Sequence, residues 1–300
     1  MSERRKSVTL GLVVVLGLAC AALLVRWTDA LRPPPDPNAI DESLYVNGKT
    51  ARRISLGFNG LAADWYWMRS LQYVGKKILA QPGEVALDDL SKLNLKLLAP
   101  LLDTATTLDP EFLDPYEYAA IVLPAVDVKE AIRITQKGIA ANPNAWRLYQ
   151  HLGYIYWQQG DYKTASETYG RGAQVPGAPP WMLAMKARML ADGGSRSTAR
   201  EIYTLMFEES ADEQVKEMAR KHVLLLNSLD QRDGLNRIVQ SFREQAKRCP
   251  TWTELRVVFR HELVEMDADG APVDPTGVPY LMEPGTCSIQ LNPKSEIPIK

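Results

Sequence analysis

The sequence predicts a mainly α protein: an α-solenoid of antiparallel helix pairs, with one N-terminal transmembrane helix and a small C-terminal β hairpin cap. Three observations predict it. Pro110, Pro143 and Pro176 are evenly spaced, each just past an apolar helical run that proline cannot continue. Between them, small residues and large aromatic ones recur in one frame. At the two ends the composition changes: Val8 to Val25 carries no charge, and from Asp267 onward proline and glycine become frequent.

The frame is clearest in residues 142–176, where Gly153, Ala165 and Gly172 alternate with Leu152, Tyr156, Tyr162 and Tyr169 around a Gly160-Asp161-Tyr162 turn. Small residues let two helices approach closely, and the aromatic rings opposite fill the space that remains. One period upstream the frame lands on Ala119, Val122, Ala131, Thr135 and Gly138, closed by Asn142-Pro143; one period downstream it lands on Ala187, Leu190, Gly194, Ala199 and Tyr203. An ordinary helical bundle with accidental spacing is the competing reading.

These residues resemble the tetratricopeptide repeat, a helix–turn–helix unit of about 34 residues that stacks into a superhelix. The resemblance implies that the first helix of each unit lines a concave groove. The residues expected there are Tyr116, Glu117 and Ala120, then Arg147, Gln150, His151, Tyr154 and Trp157, then Ala184 and Arg188. An aromatic and polar set with two arginines has the composition of a protein-binding surface. It lacks the lysine and asparagine set with which some relatives clamp a carboxyl terminus.

In chain order, residues 1–7 form a tail holding Arg4, Arg5 and Lys6, and residues 8–25 are long enough to span most of a hydrocarbon core. The charge bias places the amino terminus in the cytoplasm and the bulk of the chain outside it. Two other readings stay open: a cleaved signal peptide, and a lipoprotein signal, since Gly17-Leu18-Ala19-Cys20 resembles a lipobox. Residues 26–43 form a linker whose Pro33-Pro34-Pro35-Asp36-Pro37 run favours an extended spacer.

Residues 44–250 are assigned to the superhelix. Asn47-Gly48 predicts a short hairpin or extended lead-in. Leu61 to Ile78, crowded with Trp65, Tyr66, Trp67, Leu71 and Tyr73, predicts a helix buried on more than one face, with Asp64 and Arg69 as a candidate buried pair. Its stretch ADWYWMRSLQYVG also resembles a segment of membrane-anchored bacterial repeat proteins. Leu87 to Leu108 is the expected partner helix. Ala211 to Leu229 and Leu235 to Cys249 read as a last, atypical helix pair.

Residues 251–300 read as a helix over Thr253 to Met266 followed by the β cap. Tyr280-Leu281-Met282 and Ser288-Ile289-Gln290-Leu291 flank a turn at Glu283-Pro284-Gly285-Thr286. Asp274 to Tyr280 resembles the segment that precedes a hairpin in major pseudopilins of type II secretion, over seven residues of turn-forming composition. Cys249 and Cys287 are candidates for a disulfide tying cap to helix, or for two separate thiols.

A formal net charge of −1 gives no basic field, so nucleic acid is not an expected partner. His261-Glu262-Leu263-Val264-Glu265 begins like a zinc-protease motif, but Glu265 stands where the second histidine must share the metal. Asp267-Ala268-Asp269-Gly270 begins like a calcium loop whose glycine comes too early, and His151 and His222 lack the neighbours of a nucleophilic site. With no phosphate-binding or haem motif either, no enzyme, cofactor, metal or small-molecule substrate is expected. The function read from the sequence is a single-pass scaffold or adaptor of a bacterial inner membrane, its bulk periplasmic, binding another envelope protein through the groove. The alternative is a permanent structural subunit of a secretion, pilus or transport machine.

Overall fold

A computed structural model describes residues 16–28, 45–81, 90, 93–261 and 264–299. The chain divides into two units, Met1–Asp109 and Pro110–Lys300.

In the first unit, Asn47 caps a short helix rather than opening a hairpin. Its side chain accepts a hydrogen bond from the Thr50 amide, starting α1 (Gly48–Ile54), and a Cβ on Gly48 would lie 2.6 Å from the Thr107 Cβ. The Asn-Gly pair thus serves as cap and close-approach point, which a turn reading alone misses. Helix α2 (Asn59–Leu79) packs on α3 (Leu98–Leu108) through Ala63, Tyr66, Ser70, Tyr73 and Val74, positions that share one side of a helix. The expectation of burial on several faces is therefore corrected: Leu61, Trp65 and Met68 are exposed, as is Asp64, and Arg69 stacks over the Trp65 ring at 5.2 Å. Helix α3 also begins later than expected, because Asn94 holds a left-handed φ of 50°.

Among the described residues no helix is long and apolar enough to cross a membrane. The expected span over 8–25 starts outside the described residues. Its described part belongs to a helical stretch, 16–28, in which Leu16, Leu18, Leu23, Leu24 and Trp27 are exposed. The linker from residue 29 onward also lies outside the described residues.

The second unit opens with three successive hairpins. Helices α4 (Leu113–Val122) and α5 (Val128–Ala141) are joined through a 3-10 turn at Leu123–Ala125. Then come α6 (Trp146–Gln158) with α7 (Tyr162–Ala173), and α8 (Trp181–Asp192) with α9 (Arg196–Glu209). Asp127 and Asp161 cap the second helices of the first two hairpins, and Gly160 and Gly194 take the positive φ that the later turns require.

The repeat frame is a packing device. Ala119, Ala131, Ala165, Ala187 and Ala199 are all fully buried. A Cβ on Gly153 would lie 2.8 Å from the Tyr169 ring, and one on Gly138 would lie 2.8 Å from the Tyr116 ring. Each glycine gives an aromatic ring its seat. Asn142 donates to the Pro110 carbonyl at 2.8 Å, joining the end of one hairpin to its own start.

The last two helices expected before the cap are one. Helix α10 (Glu213–Ala246) runs 34 residues without a break and ends where Lys247 turns left-handed. Gly234 does not end it, since an isolated glycine inside a helix costs only about 1 kcal/mol. Arg196 and Arg200 of α9 hold Asp230, and Arg196 also holds Asp233, pinning α10 at its midpoint. The first half of α10 closes the third hairpin over Ala187, Ala199, Tyr203 and Met206.

Its second half carries the cap. Leu235 and Val239 pack with Leu255 and Phe259 of α11 (Trp252–His261) and with Tyr280, Cys287 and Ile289. Cys249 and Cys287 are joined as a disulfide, Cα to Cα 5.4 Å apart. Strands β1 (Leu281–Met282) and β2 (Ile289–Gln290) pair antiparallel, Leu281 opposite Gln290. A polar stripe on α10 receives them: the Tyr280 hydroxyl donates to Gln231 at 2.8 Å, Asn236 accepts from the Ile289 amide at 2.7 Å, and Arg243 donates to the Thr286 carbonyl at 3.0 Å. Asp267 and Asp274 each close a turn, Asp274 accepting from the Thr276 and Val278 amides at 2.7 and 3.1 Å. The Asp267–Gly270 segment is thus a turn. Glu262 and Leu263 of the zinc-like stretch lie outside the described residues.

Candidate functional site

Helix α6 packs against α4, and it meets α8 through the Trp146–Trp181 ring pair, 5.9 Å between centroids, and through Arg188 over Trp157. Leu148, Tyr149, Leu152 and Ile155 point into the core. Arg147, Gln150, His151, Tyr154 and Trp157 follow the helical spacing on the other side; Arg147 and Tyr154 are exposed, and Gln150, His151 and Trp157 are half-buried.

Two clusters share this face. In one, the Arg188 guanidinium of α8 lies 4.9 Å over the Trp157 ring, and Trp157 meets Tyr154 edge-on at 5.6 Å. Gln158 donates to the Tyr154 hydroxyl at 2.9 Å, and Arg188 also pairs with Asp192 at 3.8 Å. Stacked on the ring with its Nε toward Asp192, the guanidinium has its Nη groups left to offer a carboxylate or a backbone carbonyl. In the other cluster, burial pushes the His151 imidazole down, Glu117 of α4 pulls it back up and Arg147 lowers it further. The net effect favours the neutral imidazole, with Glu117 and Arg147 acting on it in opposite senses. Beneath both, burial pushes the Tyr169 phenol up to about 12, with Tyr154 adding to the rise and Arg188 opposing it.

Two residues assigned to this face belong elsewhere. Tyr116 is fully buried, its ring filling the space left by the missing Cβ of Gly138, and Ala120 is buried beside it. The resemblance to the tetratricopeptide repeat placed Tyr116 in the groove. The glycine one helix away fixes it inward, since a ring of that size needs such a seat.

The sequence reading missed the end of the face. Beyond Arg188 a cavity of about 710 Å³ opens between α8, α9 and α10, bounded by Arg196, Arg200, Tyr203, His222 and, from the tail, Ile299. Tyr203 and His222 stack at 4.6 Å. Arg200 Nε is buried there without a hydrogen-bond partner among the described residues. Nothing local in the sequence marks this place, because it joins residues from three helices and the tail.

No protein-family profile matches the chain. It is similar to the human (Homo sapiens) tetratricopeptide repeat protein 13, 28% identical over 131 residues, which are 43% of this chain and 15% of that protein. The chain therefore matches only a small part of that relative's length. That similarity and the recurring hairpins together support a helical repeat of the tetratricopeptide kind.

Proposed function

We propose that the protein is a protein-binding repeat scaffold, and that its partner docks on the face formed by α4, α6 and α8. The observation that carries this reading is the Arg188–Trp157–Tyr154 cluster. It presents an arginine and two aromatic rings, residue types that dominate binding energies, on a face whose opposite side is occupied by the core. The similarity to a tetratricopeptide repeat protein supports the same reading, since stacked repeats create extended binding surfaces. The chain is proposed to act by display rather than catalysis.

We further propose that residues 8–25 anchor it in a bacterial inner membrane, with the folded units on the periplasmic side. The uncharged stretch behind Arg4, Arg5 and Lys6 supports the topology, and the Cys249–Cys287 disulfide fits an oxidising compartment. An anchor confines the search for a partner to the membrane plane and raises the effective concentration.

The test is crosslinking in intact cells, mild detergent capture of the full chain, and mass spectrometry of what accompanies it. An exchangeable adaptor brings envelope proteins that are lost on Trp157→Ala and Arg188→Glu. If the same proteins come in fixed ratio with both variants, the chain is instead a permanent subunit and the groove reading fails.

A further inference from the structure

Among the described residues of the first unit, one side of α2 is exposed. Leu61, Trp65, Met68 and Leu79 lie outside the stripe buried on α3 and are exposed, Trp65 and Met68 at the rim of a groove they share with Leu97 and Leu101. Just before α2 the chain turns through Leu56 and Gly57, at φ 49° and 93°, and this elbow holds Ile54, Leu56 and Phe58 in solvent with Leu56 85% exposed. A left-handed leucine is uncommon, and here the turn spends that conformation on aiming an apolar side chain outward. Exposed apolar residues grouped in this way mark a surface that something covers.

The charge around the group says what covers it. Between residues 45 and 81 the chain has six cations, Lys49, Arg52, Arg53, Arg69, Lys76 and Lys77, against the single anion Asp64, although the whole chain carries a net charge of −1. Lys49, Arg52 and Arg53 lie exposed on α1, beside the elbow. Protruding leucine, phenylalanine and tryptophan bordered by lysine and arginine match a bilayer interface, where rings and aliphatic chains enter the headgroup boundary and cations meet lipid phosphates.

We propose that α1, the Leu56–Phe58 elbow and the outer side of α2 rest on an anionic lipid surface. Leu56, Phe58, Leu61 and Trp65 sit at the headgroup–acyl boundary, and Lys49, Arg52 and Arg53 sit on the phosphates. This contact is separate from the anchor proposed over 8–25. It fixes how the first unit lies on the membrane, which a tether alone leaves undetermined.

The test is nitroxide depth measurement on the full chain carrying Cys20→Ser, in vesicles of phosphatidylcholine with phosphatidylglycerol. Single labels are placed through Phe58→Cys, Tyr154→Cys or Leu23→Cys. The label at 58 is expected to gain oxygen accessibility and lose accessibility to an aqueous nickel chelate when vesicles are added, while the label at 154 stays aqueous. Arg52→Glu with Arg53→Glu is expected to return the label at 58 to water. A label at 58 that remains open to nickel in vesicles overturns the proposal. So does spin–spin broadening at 58 without lipid, which would show a second copy covering the face. The label at 23 reads the anchor independently: immersion at 23 with water at 58 leaves the anchor standing and removes this contact, and the reverse leaves the contact standing without the anchor.

Discussion

At the scale of single residues, Gly153 and Tyr169 form one unit of structure, since a Cβ on the first would lie 2.8 Å from the ring of the second. Gly153→Ala is expected to lower stability by about 1–3 kcal/mol through overpacking, despite alanine's better helix propensity. In a Tyr169→Ala background the same change is expected to be neutral or stabilising, and a double-mutant cycle by denaturant unfolding reads the difference. His151 makes a second prediction. Its folded-state pKa is lowered, chiefly by burial, so as pH falls below about 6.5 the unfolded chain takes up a proton that the folded chain refuses. Stability is expected to fall in that window, and His151→Gln to flatten the slope in denaturation midpoints measured between pH 7 and 5. At this scale the small residues of the repeat frame were legible, because their spacing recurs. The burial of Tyr116 was not, because it depends on Gly138 in the facing helix.

At the scale of elements, α10 differs most from what its sequence suggests. Asp230 to Gly234 reads as a break, yet the helix continues, held by Arg196 and Arg200 from α9. A Cβ on Gly234 would meet nothing closer than Arg237 Nη2 at 4.0 Å. Gly234→Ala is therefore expected to stabilise by up to about 1 kcal/mol, and Gly234→Pro to cost about 3 kcal/mol or more. A loop with positive φ at this position would reverse the first result in thermal unfolding. The cap gives a separable prediction. Reducing Cys249–Cys287 is expected to cost about 2–4 kcal/mol, with residues 264–299 gaining protease sensitivity before α4–α9 do. The hairpin itself was legible from its turn chemistry. The stripe Gln231, Asn236, Gln240 and Arg243 that receives it was not, because polar residues on a long helix also read as a solvated face.

At the scale of the whole molecule, the second unit joins a repeat stack to a disulfide-tied cap through one helix about 50 Å long at 1.5 Å per residue. The repeat could be read from the sequence because its spacing is periodic. The cavity between α8, α9 and α10 could not, because it exists only once those helices and the tail are assembled. The same holds for the exposed side of α2, where aromatic content suggested burial all round but only one side meets α3. A protein partner is proposed to sit on the α4–α6–α8 face. The most direct measurement places a photoreactive amino acid at Tyr154, on that face, and in a second protein at Glu167, exposed on α7. After illumination of intact cells, a discrete protein adduct is expected from position 154, none from 167, and its loss on Arg188→Glu. Adducts of equal yield from both positions, or an adduct at 154 that survives Arg188→Glu, would contradict that placement.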